Sequence, residues 1–151
     1  KALNDITQRD VFNNLTVLSI PVGTGINMRL TVRGTVVNPR KYLWDYSYRG
    51  RGIRSSFLRA SNINALADII RYIIRESYGD FNPTSIDYII FSGGGTNRIL
   101  TSVITETTND PNVKILPTVD VLPNTTIALN TDDLCPFKGL LQKFAYDKNI
   151  L

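Results

Sequence analysis

The segment Ile86–Leu100, IDYIIFSGGGTNRIL, holds the residues best suited to chemistry. An apolar run, Tyr88-Ile89-Ile90-Phe91, leads into Ser92-Gly93-Gly94-Gly95, and a helix-like segment resumes near Thr96. Glycines at a strand-to-helix turn let the backbone approach a ligand and leave amide groups free at a helix N-terminus, a place suited to anions. Gly93, Gly94, Gly95, Thr96 and Arg98 are therefore the candidate nucleotide-binding residues. A tight turn with close helix–strand packing uses the same glycines without any ligand, and on that reading Arg98 is simply solvated.

A second candidate is the stretch 40–59, RKYLWDYSYRGRGIRSSFLR, in which six basic residues face one acid, Asp45. Tyr42, Trp44, Tyr46, Tyr48 and Phe57 are interleaved with them. Basic side chains among aromatics suit single-stranded nucleic acid, with phosphates on arginine and bases on aromatic faces. The same residue types anchor protein interfaces. Arg40, Lys41, Trp44, Tyr46, Tyr48, Arg49, Arg51 and Arg54 are the candidates for either partner. The alternation at 42, 44, 46 and 48 predicts a strand with one aromatic face, and Gly50 and Gly52 predict a flexible basic loop after it.

Other chemistries are narrowed by what the chain lacks. It has no histidine, so Ser-His-Asp and Cys-His catalysis and histidine metal sites are absent from it. The single cysteine, Cys135, forms no internal disulfide, which suits a reducing compartment. Its neighbours Leu134, Pro136 and Phe137 predict a buried, inert thiol. Asp132-Asp133 is a weak metal candidate, explained more cheaply as the acidic first turn of a helix. No catalytic residue and no metal ligand is assigned, and an enzyme is not the expectation. A net charge of +4 is too mild to imply nucleic acid by itself.

The elements that position these residues follow from periodicity. Residues 1–10 read as a short helix or an arm. Leu15–Ile20 and Ile26–Val32 flank Gly23-Thr24-Gly25 as a hairpin, with Gly34 as a second turn and Val36-Val37 starting a third strand. Ser61 or Asn62 caps a helix whose apolar positions run Ile63, Leu66, Ile69-Ile70, Ile73-Ile74, and Gly79 stops it. Ile86–Phe91 reads as a strand covered on both faces, as in the parallel part of an α/β sheet. Ile99-Leu100, Val103-Ile104 and Thr107 predict a helix, Val113–Leu116 a short strand, and Thr131–Ala145 a last helix. At 151 residues with 42% hydrophobic composition this is a single α/β domain over 1–151, a mixed sheet with an N-terminal β-hairpin or meander followed by β-α units. Starting at Lys1 and not Met, it is expected to be a processed piece or fragment of a longer protein. No apolar run reaches membrane-spanning length, so no membrane partner is expected.

This order, with Phe91-Ser92-Gly93-Gly94-Gly95-Thr96-Asn97-Arg98-Ile99, resembles the second lobe of the actin, heat-shock-chaperone (DnaK-type) and sugar-kinase ATPases. In the chaperones an apolar strand leads to Gly-Gly-x-Ser/Thr-Arg-Ile; here one extra residue precedes the arginine. The resemblance covers roughly residues 61–146, with Gly139-Leu140-Leu141 where the family's last helix contains a glycine. It implies a lobe like that of actin or a chaperone, with adenosine contact at Gly93–Arg98 and ATP as the cofactor. The family's phosphate hairpin, Asp-x-Gly-Gly-Gly-Thr, is matched by Ser19-Ile20-Pro21-Val22-Gly23-Thr24, with serine in place of aspartate and Pro21 and Val22 in place of glycines. A serine supplies no carboxylate for Mg²⁺ or water activation. Two expectations follow. One is a non-catalytic or degenerate lobe serving as an assembly or scaffold component. The other is a structural protein of a viral or other large assembly, binding protein subunits or single-stranded nucleic acid through 40–59. Either places the chain in the cytoplasm or in a virion.

Overall fold

The computed structural model describes residues 13–99, 106–107, 110–132, 134–135 and 137–147. The expected readings of 1–10, of Leu100 and Val103-Ile104, and of Asp133 lie outside these residues.

The protein is an α/β domain built on one mixed seven-stranded sheet. Its strands are β1 (Thr16–Pro21), β2 (Arg29–Val32), β3 (Thr35–Val37), β6 (Tyr88–Ser92), β7 (Glu106–Thr107), β8 (Val113–Ile115) and β9 (Thr126–Asn130), in the order β3-β2-β1-β6-β9-β8-β7. β6 lies between β1 and β9 and is parallel to both, whereas the two flanks are antiparallel. A separate hairpin pairs β4 (Ser47–Tyr48) with β5 (Arg51–Gly52). Among the described residues three α-helices accompany the sheet: α1 (Ile53–Leu58), α2 (Ile63–Tyr78) and α3 (Lys138–Asp147).

The central strands are buried on both faces because they alternate between two apolar layers. Ile89 and Phe91 of β6 join Leu18, Ile20, Leu66, Ile70 and Ile73 in the core under α2. Tyr88 and Ile90 join Val17, Val113, Ile115, Ala128 and Leu140 under α3. This is why the sequence from 86 to 91 shows no polar alternation, as a two-sided strand requires. Each fully buried Ile or Leu contributes about 1.5–3 kcal/mol.

α2 starts and stops where its sequence dictates. The Asn62 side chain accepts a hydrogen bond from the Ala65 amide at 2.8 Å, and Gly79 closes the helix at φ +62° with its amide on the Arg75 carbonyl. We expect Asn62→Ala to lower stability by about 1 kcal/mol in urea denaturation, because the Ala65 amide loses its cap.

Three local expectations are corrected. Residues 42–48 do not form an aromatic strand: a 3-10 turn (Leu43–Asp45) precedes the two residues of β4. Its capping contacts explain the break, since the Tyr42 amide donates to the Asp45 carboxylate at 2.9 Å and the Asp45 amide to the Tyr42 carbonyl. The segment after Gly93 is not an α-helix. It is a 3-10 helix (Gly94–Arg98), and Thr107 lies in β7. Finally, α3 begins at Lys138 and not at Thr131. The Asn130 side chain accepts from the Asp132 amide and donates to the Cys135 carbonyl, which ties the end of β9 to residues just before α3.

Candidate functional site

The glycine turn is explained largely by packing. Gly93 sits at φ +88°, and a Cβ there would lie 2.5 Å from the Val22 carbonyl oxygen. At Gly95 a Cβ would lie 2.6 Å from Val22 Cγ1 and 3.0 Å from the same carbonyl. The end of β6 is thus pressed against the residue that follows β1. Two of its amides are taken, Gly95 donating to the Val22 carbonyl at 2.8 Å and Thr96 to the Gly93 carbonyl at 3.1 Å, and the Val22 amide in turn donates to the Ser92 carbonyl at 2.7 Å. Gly94 and Arg98 are exposed, and a Cβ on Gly94 would meet nothing. Thr96 is buried, and its hydroxyl has no partner among the described residues. Of the five candidates, Gly94 and Arg98 remain open to a ligand.

The 40–59 segment divides into several roles. Arg40 closes the C-terminus of α2: Nε donates to the Glu76 carbonyl at 3.2 Å and Nη2 to the Arg75 carbonyl at 3.1 Å, with the guanidinium against Gly79. A cation at that end also faces the negative pole of the helix. Lys41 lies 3.8 Å from the Glu76 carboxylate. Arg54 reaches across to the β1–β2 hairpin, Nε donating to the Gly23 carbonyl at 2.8 Å. Tyr46 packs edge-on to Tyr72, its hydroxyl 2.6 Å from Ser77 Oγ. Trp44 stacks on Tyr42 with ring centres 4.7 Å apart, and at 68% exposed it is the most accessible ring of the segment.

Tyr48, Arg49 and Arg51 form the part that faces a groove. Gly50 does not loosen the chain here. Arg49 and Gly50 both take positive φ, 51° and 76°, as a two-residue hairpin turn requires. Arg49 tolerates this conformation with its guanidinium 5.1 Å from the Tyr48 ring centre. Tyr48 in turn meets Tyr72 of α2 edge-on at 5.1 Å. On one side of the hairpin a depression of about 470 Å³ is lined by Arg49, Arg71, Arg75, Tyr72 and Phe81. On the other a depression of about 230 Å³ is lined by Arg51, Arg59 and Ser61. Tyr48, Arg49 and Asp68 belong to both, so the two form one groove with five arginines and one acid. Among the described residues none of the five guanidiniums makes an ion pair.

Sequence reasoning missed Arg71, Tyr72 and Arg75, and it held Arg59 only as one of the six basic residues of 40–59. The available signal was the spacing 68, 71, 72, 75 on the polar face of α2, which aligns these side chains in one stripe. On a single helix such residues read as an ordinary solvated face, and the hairpin packed beside them makes the groove.

Asp132 does not open a helix. Its carboxylate meets Lys138 Nζ at 3.1 Å and accepts from the Leu134 amide, while Lys138 also pairs with Asp110. The hydrogen bond to Lys138 holds both carboxyls below their usual range. Cys135 is half-buried. Among the described residues no group of three metal-ligating side chains occurs, and no helix is long and apolar enough to cross a membrane.

Burial pushes the Tyr46 hydroxyl up to about 12, the Ser77 hydrogen bond opposing it. The raised value favours the neutral phenol in the folded protein. Its contribution is whole below pH 10 and is lost as pH rises through about 12. Urea midpoints at successive pH values should show the gap between the parent and Tyr46→Phe shrinking across this window. A constant gap would show that Tyr46 does not titrate in it.

Comparison with protein families, with curated proteins and with solved structures finds no match for this chain.

Proposed function

We propose that this protein is a non-catalytic component of a larger assembly that binds single-stranded nucleic acid in the groove between the β4–β5 hairpin and α2. One observation carries this reading: Arg49, Arg51, Arg59, Arg71 and Arg75 face one groove without ion-pair partners among the described residues. Five like charges on one face repel one another, and a phosphate backbone relieves that repulsion while releasing its own counterions. Guanidinium forks match phosphate oxygens. Exposed aromatic faces beside a basic groove favour unpaired bases over a duplex, whose bases are already stacked. Tyr48, Tyr72 and Phe81 line the groove and supply such faces.

Competition against a labelled oligothymidylate tests the reading. Unlabelled single strand should displace it at lower concentration than a duplex of equal length or polyglutamate. Equal displacement by polyglutamate would make the groove a general acid-binding surface and would defeat the proposal.

The strand order supports a second, compatible reading of the scaffold. The meander β3-β2-β1 continues into parallel β6 and β9, and the glycine turn follows β6, in the order implied by a lobe like that of actin or the chaperones. In that reading ATP contact falls to Gly94 and Arg98. Hydrolysis lacks its carboxylate, because Ser19 occupies the aspartate position. A nucleotide lobe gains stability by mass action, so Mg-ATP should raise the melting temperature. No shift at saturating Mg-ATP would remove nucleotide from the account.

A further inference from the structure

The other face of the sheet carries a cleft of about 510 Å³ near the carboxyl ends of β1 and β6. That is the end of parallel strands where open α/β sheets bind ligands, and the volume lies in the range of small-molecule sites. Two serines line it, Ser19 at 9% and Ser92 at 4% exposed, and neither hydroxyl has a hydrogen-bond partner among the described residues. Neither is among the fully buried unpaired polar atoms, so both hydroxyls reach the open cleft and are free to donate to a ligand there. Arg29 lies directly across the β1–β2 ladder from Ser19, so the two side chains share a face at Cβ separations on the order of 5 Å. Pro21, two residues beyond Ser19, is the register partner of Ser92. The guanidinium of Arg29 makes no ion pair among the described residues. The acid in the lining, Asp132, is already held by Lys138. Met28 and Phe137 supply an apolar wall.

We propose that this cleft binds a small organic oxyanion, a phosphate monoester or a carboxylate with a flat apolar body. Arg29 pairs with the oxyanion and the hydroxyls of Ser19 and Ser92 donate to it. The body lies against Phe137 and Met28. Arg29 is the uncompensated charge of the site, which sets the sign of the ligand, and the shared face of the three polar groups sets a single head-group position. The site is separate from the arginine groove and stands independently of it.

Thermal melts of the full chain with phenyl phosphate, benzoate and benzylamine test this. Both anions should raise the melting temperature saturably, and benzylamine should not; the anion acting at the lower concentration identifies the head group. In Arg29→Gln, an exposed position, the dissociation constant should rise about tenfold or more. Ser92→Ala should raise it about threefold or more, while Arg71→Gln in the groove leaves it unchanged. No saturable shift with either anion would overturn the proposal. So would an equal shift with benzylamine, a parent-like response in Arg29→Gln, or loss of the response in Arg71→Gln. Inorganic phosphate matching phenyl phosphate in affinity would overturn the role of the apolar wall.

Discussion

Gly93→Ala should be the most damaging single-methyl change in this protein, lowering stability by about 3 kcal/mol or more. Two costs add. The residue holds φ +88° and ψ 173°, a region open essentially to glycine alone. The new Cβ would also lie 2.5 Å from the Val22 carbonyl oxygen, a backbone atom that can move only by disturbing the junction after β1. The Val22 amide is fixed to Ser92 and its carbonyl to Gly95, so the strain spreads through both hydrogen bonds. The melting temperature should fall by about 6–12 °C, given roughly 2–4 °C per kcal/mol at this size. Gly95→Ala should cost less, because its nearest obstacle is the Val22 Cγ1 methyl, a side-chain atom. Gly94→Ala has open space and should cost under about 1 kcal/mol. Denaturation in nucleotide-free buffer checks the series. A parent-like Gly93→Ala would show that the turn is not held by packing on Val22.

The combined variant Arg49→Gln, Arg51→Gln, Arg71→Gln and Arg75→Gln should weaken oligothymidylate binding by about a hundredfold or more near 100 mM salt. Each guanidinium lost removes one phosphate contact and roughly 0.7 of a released counterion, so over four the dependence of affinity on salt should flatten by about 3 in slope. Stability should change little, because relief of the repulsion among four charges that make no ion pair among the described residues offsets the loss of the Arg49–Tyr48 and Arg75–Tyr72 ring contacts. Arg40→Gln is the contrasting change. It removes hydrogen bonds to the last carbonyls of α2 and should cost stability while leaving affinity near the parent value. Anisotropy titrations and urea melts on both proteins separate a binding role from a structural one. Affinity falling in Arg40→Gln but not in the fourfold variant would move the interface away from the groove.

The elements legible in the sequence are those whose signals are local. Asn62, the apolar stripe from Ile63 to Ile74 and Gly79 specify α2 within one contiguous stretch. Gly23–Gly25 between two apolar runs specifies the β1–β2 hairpin, and the unbroken run at 88–91 marks a strand covered on both sides. The misread stretches depend on partners far along the chain. The alternation of Tyr42, Trp44, Tyr46 and Tyr48 looks like a strand, yet Tyr46 and Tyr48 point at Tyr72, more than twenty residues away. Gly93 and Gly95 have the same composition whether they cradle a ligand or clear Val22, some seventy residues earlier. For the candidate site, Arg49 and Arg51 were legible as part of a basic, aromatic segment. Arg71 and Arg75 were not, because only the fold brings α2 beside that hairpin. Arg40 and Arg54 carry the same charge as the groove residues but spend it on backbone carbonyls, which composition does not reveal.

The salt dependence of oligothymidylate binding to the unmodified protein tests the central claim most directly. With five groove arginines on phosphates, and roughly 0.7 counterions released per contact on a single strand, log K should fall linearly with log salt at a slope near −3.5. Fluorescence anisotropy between about 50 and 200 mM salt covers the range over which such a slope is measured. A slope near −3.5 is the predicted result; no saturable binding at the low-salt end, or a slope near zero, would contradict it.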